Sequence, residues 1–172
     1  RMALRVMHTS IQKRVSCSNF AAIQRSDTLK TAAMPGQTIT VETTVSAPIE
    51  EVWSAYTTPK DIQQWNAASD DWHTTSASVD LREGGAFSSR MEAKDGSFGF
   101  DFAGIYTKIV PLQLIEYSFG ERTAQVEFSQ QQNVVSVRVT FEAETTHSIE
   151  QQRAGWQAIL DRFARHLENR GR

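Results

Sequence analysis

The segment Val45–Trp65, VSAPIEEVWSAYTTPKDIQQW, constrains this chain more than any other, because it encodes two short helices with a sharp corner between them. Pro48 falls where a first helical turn tolerates a missing N–H, and Glu50 and Glu51 put negative charge at that helix's positive end. Val52, Trp53 and Tyr56 make one apolar stripe along it. Thr58 is a good N-cap, Pro59 stands at the first helical position, and Asp61 follows three residues after the cap in the manner of a capping box, so a second helix starts at once.

The rest of the pattern is strands followed by one long helix. Ile39, Val41, Thr43 and Val45 alternate on one side of a first strand that runs into the helical corner. Asn66 to Ser76 reads as a polar loop carrying Trp72. Ser78–Arg82, Phe87–Lys94, Ser97–Val110, Leu112–Phe119, Thr123–Ser129 and Val134–Glu142 read as strands, with turns at Gly84-Gly85, Asp95-Gly96 and Gln130–Asn133. In the last of them Val135, Val137, Val139 and Phe141 alternate with polar residues, so one face is buried and one wet. Ser148 and Gln151 form a capping box that opens a helix of about 20 residues, roughly 30 Å, with Trp156, Ile159, Leu160, Phe163 and Leu167 in its apolar stripe and Asn169 and Gly171 at its end. The expectation is an α+β architecture: a curved antiparallel sheet of six to seven strands, two short helices after the first strand, and a long C-terminal helix packed across the sheet.

These motifs resemble, in order, the START-like (SRPBCC) superfamily with the helix-grip, or Bet v 1-like, fold, and within it the bacterial branch named after the activator of Hsp90 ATPase. The resemblance rests on sAPiEeVWsAyTtPkdIqqW, on Val79–Phe87 (VDLREGGAF), on Gly104-Ile105-Tyr106, and on Gly155–Asp161 (GWQAILD), spanning about Thr38 to Glu168. It implies a cavity between the sheet and the C-terminal helix that holds a small apolar or amphipathic molecule. It also implies two alternatives: a protein that docks on a chaperone such as Hsp90, or an enzyme of the polyketide cyclase or hydratase type.

Charge and cysteine usage narrow the classes further. Residues 1–37 hold six basic residues against Asp27, which leaves 12 of the 18 basic and 19 of the 20 acidic residues in 38–172. An acidic body of this kind argues against a nucleic-acid partner, and no apolar run approaches the roughly 20 residues of a membrane span. Cys17 is the single cysteine, so no intrachain disulfide forms, and a cytoplasmic setting fits. No phosphate loop or dinucleotide fingerprint occurs, and His8, His73, His147 and His166 show no metal-binding spacing, so no cofactor or metal is expected. Residues 1–35 are expected to be an N-terminal extension, disordered or not native, ahead of a domain at 36–172. A transit peptide, an upstream start in place of Met34, and a packed extension all remain open. If the extension does not pack, a chain starting at Pro35 melts within about 5 °C of the full chain; a larger drop, near 1–2 kcal/mol, shows that it does.

The expected cavity would have roughly 300–1,000 Å³ of space. Its expected lining is Phe87 and Met91, the row Phe98, Phe100, Phe102 and Tyr106, the loop aromatics Trp65 and Trp72 with His73 beside them, and Trp156 from the helix. His73, after Asp70-Asp71-Trp72, is the residue best suited to a general base or to holding a ligand's polar end. Arg82, Arg90, Asp101, Glu116, His147 and Gln152 are further polar candidates, with Arg82 read as a surface ion-pair partner and His147 as ordering the turn before the long helix. A bulge near Gly99 or Gly104 would turn the Phe row outward and bring Asp101 inside. No catalytic residue is assigned. If Trp156 walls a preformed pocket, truncating it should cost well under the roughly 3–5 kcal/mol of a plain core tryptophan.

Overall fold

The computed structural model describes residues 36–170; the expected N-terminal extension, with His8 and Cys17, and the helix stop at Gly171 lie outside the described residues. The element order is β1 (Thr38–Val45), α1 (Ile49–Thr57), α2 (Pro59–Trp65), β2 (Trp72–Val79), β3 (Ala86–Ala93), β4 (Gly99–Val110), β5 (Leu114–Phe119), β6 (Arg122–Gln131), β7 (Val134–Glu142) and α3 (Ile149–Arg170). The seven strands form one antiparallel sheet in the order β1-β7-β6-β5-β4-β3-β2, so β1 and β2 are its edges. Curled into a half-barrel and closed by α3, this is the helix-grip architecture the sequence led us to expect.

Strand alternation fills the concave side. Val135, Val137, Val139 and Phe141 of β7 stand opposite Val45, Thr43, Val41 and Ile39 of β1, and all of these but Thr43 are buried. The same rows continue through Val126 and Phe128 of β6 and Ile115, Tyr117 and Phe119 of β5. Against this surface α3 lays Trp156, Ile159, Leu160, Phe163 and Leu167, the stripe read from its 3.6-residue period.

A helix packs beside each sheet edge, which shields part of the backbone row that makes an open edge hazardous. Along β1, Gln157 of α3 acts as a substitute strand: its Nε2 donates to the Glu42 carbonyl at 3.0 Å, and its Oε1 accepts from the Glu42 N–H at 3.4 Å. Beside β2 sits α2, and the Thr74 hydroxyl donates to the Asn66 carbonyl at 2.6 Å. The helices are tied to each other by Asp61, which accepts from His166 at 2.9 Å and pairs with Arg170 at 3.1 Å. That is a different use of Asp61 from the capping box expected of it. Thr58 does occupy the N-cap position with Pro59 next, but its hydroxyl makes no capping bond.

The box at α3 is reciprocal: the Gln151 N–H donates to Ser148 Oγ and the Ser148 N–H to Gln151 Oε1, both at 3.2 Å. Just before it, the Glu144 carboxylate accepts from the Thr146 and His147 N–H groups and lies 2.6 Å from the His147 ring. His147 thus orders this turn, and Arg82 pairs with Asp80 on the surface at 2.8 Å.

Several strand boundaries differ from the sequence reading. β2 begins at Trp72, not Ser78, and ends at Val79; a bulge between Thr74 and Ser76 breaks its alternation, which is why it resembles loop. β5 begins at Leu114, because Leu112 has a positive φ of 63° in the preceding turn. β4 is regular against β3 from Gly99 to Ile105, so the Phe row stays inward and Asp101 stays outside, 3.6 Å from Arg90; the bulge falls later, between Tyr106 and Lys108. Gly104 explains why that stretch needs a glycine. A Cβ there would lie 2.2 Å from the Ser118 carbonyl oxygen and 2.7 Å from the Phe87 ring.

No helix among the described residues is long and apolar enough to cross a membrane.

Candidate functional site

The half-barrel and α3 leave a cavity of about 90 Å³ between them. Its floor is sheet: Phe87 and Ser89 from β3, Phe102 and Tyr106 from β4, Tyr117 from β5. Trp156, Ile159 and Leu160 of α3 cover it, and Tyr56, Ile62 and Trp65 close the end formed by the helical corner. Ser78 is its exposed lining residue, with Thr57, Asn66 and Val79 half-buried like Tyr56, Phe87 and Phe102, and it marks the mouth between that corner and the end of β2.

The corner is held by aromatic packing. Tyr56 and Trp65 stack at 5.3 Å, and both meet Phe163 of α3 edge-on at 5.3 and 5.1 Å. The Trp65 indole N–H is satisfied by the Ala55 carbonyl at 3.0 Å, which joins α2 to α1. On the opposite wall Trp156 stacks on Phe141, with centroids 4.1 Å apart and planes 14° from parallel, and touches Phe102 and Phe119 at 6.0 Å each.

The space is far smaller than the 300–1,000 Å³ expected, and smaller than the roughly 150 Å³ that holds a benzene ring in an apolar protein cavity. The reason is the number of rings. Phe87 alone lies within 5.0–5.8 Å of Phe102, Tyr106 and Tyr117, so aromatic side chains occupy most of what the curvature opens.

Of the ten residues singled out from the sequence, Trp65, Phe87, Phe102, Tyr106 and Trp156 meet at this cavity. The other five do not line it. Met91 is fully buried core beyond its edge. Trp72, Phe98 and Phe100 form a separate cluster with centroids 5.9–6.3 Å apart, and Phe98 is 39 % exposed. His73 lies opposite Glu92 on the β2–β3 ladder, and strand alternation puts it on the face away from the cavity. Among the polar candidates, Arg90, Asp101 and Glu116 are on the outer face and Gln152 is a structural clamp, so none lines the space.

Sequence reasoning missed Tyr56 and Tyr117 as lining residues, although the chain has only three tyrosines and all three, with Tyr106, line this one cavity. Burial is the main cause that raises their pKa values. Tyr106 is pushed up to about 12, and Tyr56 and Tyr117 also rise well above the usual tyrosine value, helped by their neighbours in the group. Among the described residues no Asp, Glu, His, Lys, Arg or Cys lines the space. Among the described residues no group of His, Cys, Asp and Glu is arranged to hold a metal.

A raised tyrosine pKa means the folded state favours the neutral phenol, so stability is full below the ordinary pKa and is lost as pH rises through the folded one. The folded chain should therefore show almost no phenolate absorbance at about pH 11, where an unfolded chain has already ionised phenols with a pKa near 10. Ultraviolet titration with and without denaturant checks this; a phenol that ionises reversibly near 10 in the folded protein contradicts the burial described.

The chain matches the family model described as activator of Hsp90 ATPase homolog 1-like protein over residues 46–168. Among solved structures it resembles the AHSA1-like protein from Aeromonas hydrophila at 44% identity, covering 78% of this chain and 94% of that one with a TM-score of 0.75. A protein from Cytophaga hutchinsonii is 42% identical over 77% of this chain and 92% of its own, with a TM-score of 0.68. One from Chromobacterium violaceum, at 24% identity over 75% of this chain and 96% of that one, shares the fold with a TM-score of 0.67. No curated protein matches the chain at a significant level. Six of the seven strands, the helical corner and nearly all of α3 are what the matched region encodes, and the chain belongs to the activator of Hsp90 ATPase homolog 1-like family.

Proposed function

We propose that the chain is a binding module that holds a small apolar or amphipathic molecule in the space under α3. The observation that carries this reading is the composition of the walls: aromatic and aliphatic side chains, three phenols and, among the described residues, no side chain charged at neutral pH. A site built for acid–base chemistry needs a group that exchanges protons near neutral pH beside the reacting atoms. Tyrosines held neutral do not supply one, so the walls favour retention over turnover. The family's name carries a chaperone association, and the cavity speaks for the ligand side of that family.

Because the empty space is small, a ring-sized guest must widen it. The mouth beside Ser78, between the helical corner and the end of β2, is the side where the lining is exposed. Titration of the full chain with an uncharged naphthalene ketone whose emission shifts blue in apolar surroundings should give saturable binding in the low-micromolar range, about −8 kcal/mol. Ser89→Leu, which extends a buried lining residue into the space, should abolish that binding while leaving the fold intact. Absence of saturable binding to the unsubstituted chain, or full binding to the filled variant, counts against the proposal.

A further inference from the structure

All three tyrosines of the chain meet in one cavity, and their hydroxyls have no hydrogen-bond partner among the described residues. Tyr106 and Tyr117 face each other across the β4–β5 ladder and are 7 and 6 % exposed; Tyr56 reaches the same space from α1. No hydrogen bond links any of the three hydroxyls to another described residue, and none of the hydroxyl oxygens is sealed from open space. A buried phenol normally finds a partner, and leaving a polar group unpaired in the interior costs about 1–3 kcal/mol. Three such groups at one apolar cavity form a hydrogen-bonding surface that a guest, or water in its place, completes.

The sign of charge that this surface accepts follows from the walls. Among the described residues neither a cation nor an anion lines the cavity, so a carboxylate taken inside would be stripped of water with no counter-charge. An ammonium group fares no better. Arg122 is near enough to favour the charged form of Tyr117, but its guanidinium lies over the Phe119 ring at 4.5 Å and donates to the Glu142 carbonyl at 3.4 Å, outside the lining. What the site can satisfy is a neutral oxygen. A hydroxyl or carbonyl oxygen can accept a hydrogen bond from a phenol O–H, and a hydroxyl can also donate one.

We infer that the ligand is a compact neutral molecule with an apolar body and a hydroxyl or carbonyl oxygen, held by hydrogen bonds to Tyr56, Tyr106 and Tyr117, and that acids and plain hydrocarbons are discriminated against. This rests on the binding-module reading above and deepens it.

The test is a matched series of para-substituted rings, toluene, p-cresol and p-toluate, titrated against the full chain with ring-labelled tyrosine and followed by NMR, where three tyrosine signals report. The p-cresol is expected to bind at least about tenfold more tightly than either of the others and to move all three signals. Tyr106→Phe and Tyr117→Phe should each weaken p-cresol about fivefold, the size of one hydrogen bond, while leaving toluene unchanged or slightly tighter. If toluene and p-cresol bind equally, water already serves the hydroxyls and the inference fails while the cavity remains a binding site. Tightest binding by p-toluate overturns the charge argument. If none of the three binds, the binding-module reading falls with it. Should the Phe variants not fold, the series on the unsubstituted chain still decides.

Discussion

Trp156→Ala is expected to remove about 3–5 kcal/mol of stability, the full cost of truncating a core aromatic. Its indole is stacked on Phe141 and touches Phe102 and Phe119, and it is only 9 % exposed. The cavity beside it is about 90 Å³, too small to have discounted the void the mutation leaves. This revises the expectation drawn from the sequence, in which a large preformed pocket lowered the cost. The same void creates a second signal: free indole should enter it and raise the melting temperature of the variant in a concentration-dependent way while leaving the unsubstituted chain nearly unchanged. Urea unfolding with and without indole measures both. A loss below about 1.5 kcal/mol with no indole effect means that the helix relaxes onto the sheet and the Trp156 wall is soft.

Gln152→Leu should cost about 3 kcal/mol for a different reason. Gln152 is 0 % exposed, accepts from the Glu144 N–H, and donates to the carbonyls of Glu144 and His147, each at 2.9 Å. An apolar side chain of similar size keeps the packing and takes the partner from three backbone groups in a part-buried turn, each worth about 1–3 kcal/mol if wholly unserved. The segment it clamps joins β7 to α3, so its loss loosens the element that covers the cavity.

Glu144 adds a pH dependence to the same turn. Burial pushes its carboxyl up, but the hydrogen bonds from Thr146 and His147 together outweigh burial and hold its pKa below the usual carboxylate value. A depressed folded pKa gives stability that is present above the unfolded value and lost as pH falls through the folded one. The chain should therefore weaken below about pH 4.5, the ordinary carboxylate range, and Glu144→Gln should flatten that part of the stability profile; an unchanged acid limb would assign it to other carboxylates.

Most of the architecture was legible because it depends on periodicity and on end signals. The corner at Thr58-Pro59, the alternation of β7 and the Ser148/Gln151 box are local patterns, and the structure places strand, turn and helix accordingly. The start of β2 was not legible. Its bulge puts Thr74 inward and shifts the next inward position to Ala77, so the Trp72–Val79 stretch has no two-residue period to read. His73 drew attention as a loop residue beside carboxylates, and the hidden strand is what turns it away from the cavity. The site was half legible for a related reason. Alternation tells which side of a strand a residue faces, and it put Phe87, Phe102 and Tyr106 on the concave side with Phe100. How far along the sheet α3 and the corner reach is a tertiary quantity, and it separates Phe102 from Phe100, two residues apart on one face. Tyr56 was visible as part of the apolar stripe of α1, and Tyr117 as a strand residue. That both meet Tyr106 follows only from the curl of the sheet.

A crystal of the full chain soaked with 4-bromophenol tests the central claim most directly, since the bromine's anomalous signal marks the guest without reliance on weak density. A peak is expected inside the space walled by Phe102, Tyr106 and Trp156, with the phenol oxygen about 2.7–2.8 Å from a tyrosine hydroxyl and the walls moved apart to admit the ring. Bromine found only on the outer surface, with the cavity unchanged in size and holding water alone, would contradict it.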